Sequence, residues 1–189
     1  MRQDARENRE RILAAAEAVF GEHGAAGSTE EVARRAAVSI ATVFRHFPTK
    51  EELVEAALLR HFELLTGQAH ALIADADPAV AWRVLIRTMI KTGATKLTLV
   101  SLVADRDEFP AGAVAASDRL KSVVGEILRR GQDAGAVRPS VTVEEVYLLI
   151  RGLAQASATT RTPPDTLDRA VDVVLAGLAG PGRPAPAPA

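Results

Sequence analysis

Cysteine is absent from the 189 residues. That excludes disulfides and thiolate metal sites and makes a reducing cytoplasm the expected compartment. Aromatic residues amount to only 4%, with one Trp and one Tyr, while Ala and Leu abound. Strands are enriched in aromatic and β-branched side chains, so the balance favours an all-α chain. Charge of one sign is lacking too: the formal net charge is -1, so only a local concentration of cations would serve a polyanionic partner. No apolar run reaches the roughly 18 residues of a membrane span. The opening MRQDARENRERI has no apolar segment, so a secretory signal is not expected. A Gly-rich phosphate loop, a nucleophile elbow and a Ser/His/Asp set are all missing, so the chain is not expected to be an enzyme. His61, Glu63 and His70 fit no dedicated metal spacing. Asp105, Asp107 and Glu108 around Arg106 lack the further ligands and turn glycine of a calcium loop, and no metal or cofactor is expected.

What is present is helical periodicity nearly throughout, in a chain that is 48% hydrophobic and 25% charged. Ile12, Leu13, Ala16, Val19 and Phe20 form a first stripe, closed by Gly21 to Gly24. Ser28 and Thr29 ahead of Glu30 and Glu31 read as a cap with acids in the first turn, and Val32, Ala33, Ala36 and Ala37 continue a short second helix. A tight break at Val38-Ser39 leads into a third, Ile40 to Phe47, with Ser39 as its cap and Pro48 as its stop. Thr49 caps Lys50-Glu51-Glu52, and Leu53, Ala56, Ala57, Leu59 and Leu64 mark a long fourth. Pro78 opens a helix through Trp82, Leu85, Ile86, Met89 and Ile90, and a further apolar run covers Leu97 to Val103. Residues 105 to 112 read as a loop or broken helix. Ser117 to Ala134 is amphipathic, and Gly135 to Ser140 ends it. Thr142 caps a helix through Leu153, and Pro163-Pro164 starts the last, through Leu178. The Pro/Ala-rich stretch after Gly180, residues 181–189, is expected to be disordered.

Three short helices with a tight turn between the second and third follow the helix-turn-helix plan, in which the third lies in the major groove. Such a helix needs small or polar residues at its exposed start, and Ser39, Ile40, Ala41 and Thr42 supply them. Val43 is expected to turn inward and Phe47 to pack on the first helix, leaving Thr42, Phe44, Arg45 and His46 near the DNA. Lys50 and the N–H groups at the start of the fourth helix can meet phosphate, with Thr49 beside them. Arg6, Arg9 and Arg11 alternate with acids, which reads as a solvated face or as an arm reaching a groove.

The run Val38-Ser39-Ile40-Ala41-Thr42-Val43-Phe44-Arg45-His46-Phe47-Pro48-Thr49-Lys50-Glu51-Glu52-Leu53 resembles the signature of the TetR family. That family shows Thr-Leu-Tyr-x-His-Phe-x-Ser/Asn-Lys-x-x-Leu across its recognition helix and the next helix start. Ile12 to Ala16 with Phe20, and Thr29 to Ala33, resemble its first two helices. The resemblance implies that Thr42 contacts phosphate or a base, that His46 and Lys50 bind phosphates, and that Ser39, Ile40 and Ala41 face base edges. Arg34 is a further candidate. The chain departs from the pattern at Val43-Phe44, where Leu-Tyr is usual. Phe44 has no hydroxyl for a phosphate, and Ile40 with Ala41 suggests contact with thymine methyls rather than bidentate hydrogen bonding.

The resemblance further implies a C-terminal helical bundle that binds a small-molecule effector and dimerises. The expected division is 1–50 for DNA and 51–180 for effector and dimer. Val146, Leu149, Ile150, Leu153, Val171, Val174, Leu175 and Leu178 form the expected interface, or else fill the core of one chain. Trp82, Met89, Leu97, Leu102, Phe109 and Tyr147 are the candidate ligand-lining residues, with Arg87, Thr95 and Thr98 as polar anchors. The reading is a homodimeric repressor of palindromic operator DNA, released by an effector and without membrane association. The rival is a helical small-molecule carrier or adaptor without specific DNA binding.

Overall fold

The computed structural model describes residues 2–104, 109–160 and 162–180. The acidic stretch at 105–108 and the Pro/Ala segment at 181–189 lie outside them. Eight α-helices follow one another among the described residues: α1 Arg2–His23, α2 Thr29–Arg35, α3 Ile40–His46, α4 Lys50–Asp75, α5 Pro78–Ala104, α6 Ala111–Asp133, α7 Val143–Thr159 and α8 Pro164–Leu178. A single turn of 3-10 helix, Gly24–Ala26, follows α1. Among the described residues the only extended pairing is an isolated bridge between Val137 and Ala179.

The expected caps are in place. Ser28 accepts from the Glu31 N–H at 3.1 Å, Ser39 from the Thr42 N–H at 3.2 Å, and Thr49 from the Glu52 N–H at 3.1 Å. Thr142 and Glu145 form a reciprocal capping box. Two boundaries differ from the sequence reading. The run from Pro78 through Val103 is one unbroken helix, and α6 begins at Ala111 rather than Ser117. The Pro110 carbonyl accepts the N–H groups of Ala113 and Val114 at 3.0 and 3.2 Å, which opens α6 before its amphipathic stripe begins.

The chain folds as two compact units. The first holds the residues up to Leu64 together with Ala94–Ser117. Its core draws Ile12, Leu13, Val19 and Phe20 from α1, Val32 and Ala33 from α2, and Val43 from α3. Leu53, Leu58 and Phe62 of α4, Leu99 and Val103 of α5, and Ala113 and Ala116 of α6 complete it. The same unit buries one histidine, His61, 5% exposed, whose Nδ1 lies 3.6 Å from Glu17 of α1. Glu17 also accepts from Arg60 at 2.7 Å, and Arg60 donates to Glu10 at 2.9 Å. Burial pushes the Glu17 carboxyl up, but His61 and Arg60 together outweigh it and hold the group below its ordinary value. Glu63 is exposed.

The second unit comprises Leu65–Gly93 and the residues from Asp118 onward. Trp82, Leu85, Ile86 and Ile90 of α5 are buried in it, as are Leu120, Val124 and Ile127 of α6. Val146, Ile150, Val171, Leu175 and Leu178 are buried within the single chain, so these five of the eight residues expected at an interface belong to the core. The face left open on α7 and α8 is different: Leu148 is 71% exposed, Val173 is 72% exposed, and Leu149 lies at the margin with 36%. Gly93 sets the crossing of α5 and α7, because a Cβ there would stand 2.5 Å from the Ala154 Cβ. Arg87 pairs with Asp168 and Asp172, and Lys91 with Asp168 at 2.7 Å, tying α5 to α8.

Candidate nucleic-acid interface

The first unit turns α3 outward by burying only its inner side. Val43 is fully buried and Phe47 is 4% exposed, with the Arg9 guanidinium 5.3 Å over the Phe47 ring. Arg9 is thereby engaged with α3, although like Arg6 and Arg11 it stands exposed on α1. Opposite those anchors Ser39, Ile40, Ala41, Phe44 and Arg45 are exposed, and Thr42 and His46 are half-buried. Phe44, at 44%, is a large aromatic side chain left in solvent on a helix whose other aromatic neighbour is enclosed. Val43 and Phe47 turn inward as the sequence predicts, while Thr42 and His46, expected on the outer side, are only partly open.

The turn that delivers α3 is tighter than its composition suggests. The Val38 N–H donates to the Ala33 carbonyl at 3.1 Å and the Ala37 N–H to the Arg34 carbonyl at 3.2 Å, the paired bonds of a Schellman motif. Its pivot is Ala37, at φ 53°, in the left-handed region where a Cβ is strained and glycine is usual. The break therefore sits at Ala37, one residue earlier than the Val38-Ser39 step. Ala37→Gly relieves that strain and loses part of the gain to unfolded-chain entropy. The expected net stabilisation is about 0.5–1 kcal/mol, with Ala37→Val destabilising by more than that. Thermal unfolding followed by circular dichroism checks both signs.

Polar groups along the open face are already organised. The hydroxyls of Ser39 and Thr42 are 2.8 Å apart. The Lys50 ammonium donates to the Ala25 carbonyl at 2.8 Å and lies 5.4 Å over the Phe20 ring. One of its three protons is so used, and two remain. The sequence held no sign of this anchorage, because Ala25 accepts only through its backbone carbonyl oxygen. Thr49 spends its oxygen on capping α4. Arg34 makes a fork with Glu31, at 2.8 and 2.6 Å, and Arg35 bridges Glu31 and Glu22. The pairs with Glu31 follow from its i,i+3 and i,i+4 spacing with the two arginines, whereas Glu22 reaches Arg35 from α1. The hydrogen bonds from Arg34 and then Arg35 hold the Glu31 carboxyl at about 2.

The candidate effector residues are divided between the units. Trp82, Met89 and Tyr147 fall in the second, and Leu97, Leu102 and Phe109 in the first. Trp82 and Met89 are buried, Leu97, Leu102 and Tyr147 half-buried, and Phe109 exposed. The Tyr147 hydroxyl is buried without a partner, and burial pushes its phenol up. Of the polar anchors, Arg87 is taken up by its two aspartates. Two cavities open in the second unit. One of about 450 Å³ is lined by Gln68, Leu72, Asp75, Val84 and Thr88. The other, of about 540 Å³, is lined by Trp82, Arg83, Asp172 and Leu175.

A short helix held open by two apolar anchors, entered through a tight turn and preceded by a supporting helix, defines a helix-turn-helix transcription regulator. Residues 12–57 match the family described as bacterial regulatory proteins, tetR family, and residues 77–180 match the transcriptional regulator SbtR-like C-terminal domain. The chain belongs to the TetR family. It is similar to a TetR transcription regulatory protein of Mycobacterium vanbaalenii, at 31% identity and a TM-score of 0.76, over 94% of this chain and 98% of that one. A TetR transcriptional regulator of Streptomyces coelicolor superposes with a TM-score of 0.78 at 28% identity, over 92% of this chain and 99% of that one. An HTH-type transcriptional regulator of Mycobacterium tuberculosis is 28% identical over 151 residues, 75% of this chain. The chain spans 62% of the length of that curated relative. Among the described residues no helix is long and apolar enough to cross a membrane.

Proposed function

We propose that the chain is a homodimeric repressor that binds palindromic operator DNA in the cytoplasm and is released by a small-molecule effector. Residues 1–50 read DNA, and 51–180 bind the effector and the second copy. The observation that carries the reading is the open face of α3, from exposed Ser39, Ile40 and Ala41 to Phe44 and Arg45, backed by buried Val43 and Phe47.

Each side chain on that face has a role its chemistry supports. The Thr42 hydroxyl, oriented by Ser39, offers a phosphate hydrogen bond. Lys50 meets phosphate with its two remaining protons, while Thr49 fixes the α4 N-terminus alongside it. His46, half-buried near the end of α3, is assigned a backbone phosphate. Ile40 and Ala41 present only methyl and methylene groups to base edges, which favours thymine in the major groove. Phe44 packs on the sugar-phosphate edge. Effector binding in the second unit favours a spacing of the two recognition helices that no longer fits successive grooves.

Selection of duplexes from a random pool, followed by titration at several salt concentrations, tests the reading. Specific, salt-sensitive binding is expected. Lys50→Ala weakens it on every selected sequence alike and lowers the salt slope by about 1 for each protomer. A failure to enrich any sequence, with no salt dependence, sinks the proposal.

A further inference from the structure

Arg34 stands where a phosphate contact would be useful and is already occupied. The Schellman turn folds the end of α2 onto the start of α3, and Arg34 sits in the last turn of α2 with 72% of its side chain exposed. Its Nε and Nη2 donate to the two oxygens of Glu31. A carboxylate in that fork occupies the same donor edge that a phosphate takes. One Glu31 oxygen also accepts from the Arg35 Nε at 2.9 Å, while the other serves Arg34 alone. The Ser28 cap is made through the Glu31 backbone N–H, and Arg35 keeps a separate fork to Glu22, at 2.9 and 2.6 Å, that does not depend on Glu31.

We propose that Glu31 is an internal phosphate mimic, which holds Arg34 out of DNA contact and so limits the sequence-independent part of the protein's DNA affinity. The proposal rests on the DNA-binding reading of α3 and deepens it. A phosphate approaching Arg34 meets a neutral pair, so the counterion release that a bare guanidinium would contribute is cancelled. The carboxylate stays ionised at any pH at which DNA is bound, because Arg34 and Arg35 hold it at about 2. Weaker non-specific binding raises the ratio by which an operator outcompetes the rest of a genome. The side chains that read bases, Ile40 and Ala41, are apolar and gain nothing from added charge. A carboxylate on the neighbouring helix therefore restrains background binding without touching the readout.

The test is fluorescence anisotropy with a labelled 40-base-pair duplex of mixed sequence, at about 50 to 200 mM KCl, the range over which phosphate contacts show their salt dependence. Glu31→Gln is expected to bind several-fold tighter at the low-salt end, with a slope steeper by about 1 for each protomer. Arg34→Ala alone changes little, because Arg34 is already neutralised. The double variant returns to the wild-type curve. Glu30→Gln removes the same charge from the same helix without touching Arg34, and leaves the slope unchanged. Glu31→Ala, which has higher helix propensity, repeats the Glu31→Gln result if the amide disturbs folding. A gain that persists when Arg34 is alanine, or that Glu30→Gln reproduces, overturns the proposal and leaves simple charge removal as the cause. Wild-type protein that binds with an unaltered Glu31→Gln curve overturns the brake alone. Wild-type protein that binds no DNA at all overturns the DNA-binding reading and the brake with it.

Discussion

Leu148→Arg combined with Val173→Arg is expected to run at the mass of a single chain in sedimentation experiments and to lose at least about a hundredfold in operator affinity, the scale of avidity from two linked sites. Both side chains are more than 70% exposed in one chain. They stand on α7 and α8 beside Gly152 and Gly177, where an added Cβ would meet nothing. Large apolar side chains next to bare backbone suit the close approach of helices from a second copy. An isologous contact repeats each of them twice, so four arginines would enter one apolar interface. The paired substitutions are not expected to unfold the chain, because neither residue contributes to the core. Far-ultraviolet circular dichroism should be unchanged.

The second large effect is on the helix-turn-helix itself. Phe47→Ala removes the enclosed ring that closes α3, beneath the Arg9 guanidinium and next to the buried Val43. Deleting a buried phenylalanine costs about 3–5 kcal/mol. Here the loss falls on a seven-residue helix that has little stability of its own. DNA binding should be abolished. Hydrogen exchange should show α2 and α3 unprotected, while α7 and α8 keep their protection and the dimer persists. Equal loss of protection in both units would mean that the ring supports the whole chain rather than the reading head.

The two variants also mark where the sequence could be read and where it could not. Ser28, Ser39, Thr49 and Thr142 announce helix starts because a cap is a local bond, made within three residues. The inward turn of Val43 and Phe47 was equally visible, since they are four apart on one helix face. Helix lengths were harder. The first apolar stripe begins at Ile12, yet α1 starts ten residues earlier, because its Arg, Gln and Glu residues favour helix without forming a buried face. The apolar pattern reads as one run through Ile90 and another from Leu97, with Gly93 between them. The missing Cβ at Gly93 instead serves a crossing with Ala154, a contact 61 residues away in sequence that no local pattern reports. Periodicity showed that α7 and α8 have apolar faces but not what covers them. Val146, Ile150, Val171 and Leu175 are covered by their own chain, and the residues left open are Leu148 and Val173.

At the site, the residue types on α3 were legible and the occupancy of the cations was not. Lys50 is anchored by a backbone oxygen of Ala25, and any residue there would offer the same atom. Arg34 and Glu31 stand at a spacing that permits pairing, but only the geometry shows both oxygens engaged. The departure from the family's tyrosine leaves Phe44 exposed on the same face as Ile40 and Ala41, without a hydroxyl.

A hydroxyl-radical footprint of the wild-type protein on a selected duplex tests the central claim most directly. A two-fold dimer with one α3 helix in each major groove predicts two symmetric protected patches. Their centres should lie one DNA turn, about 34–36 Å, or a whole multiple of it apart. A single patch, two patches out of phase with the helical repeat, or uniform protection would contradict it.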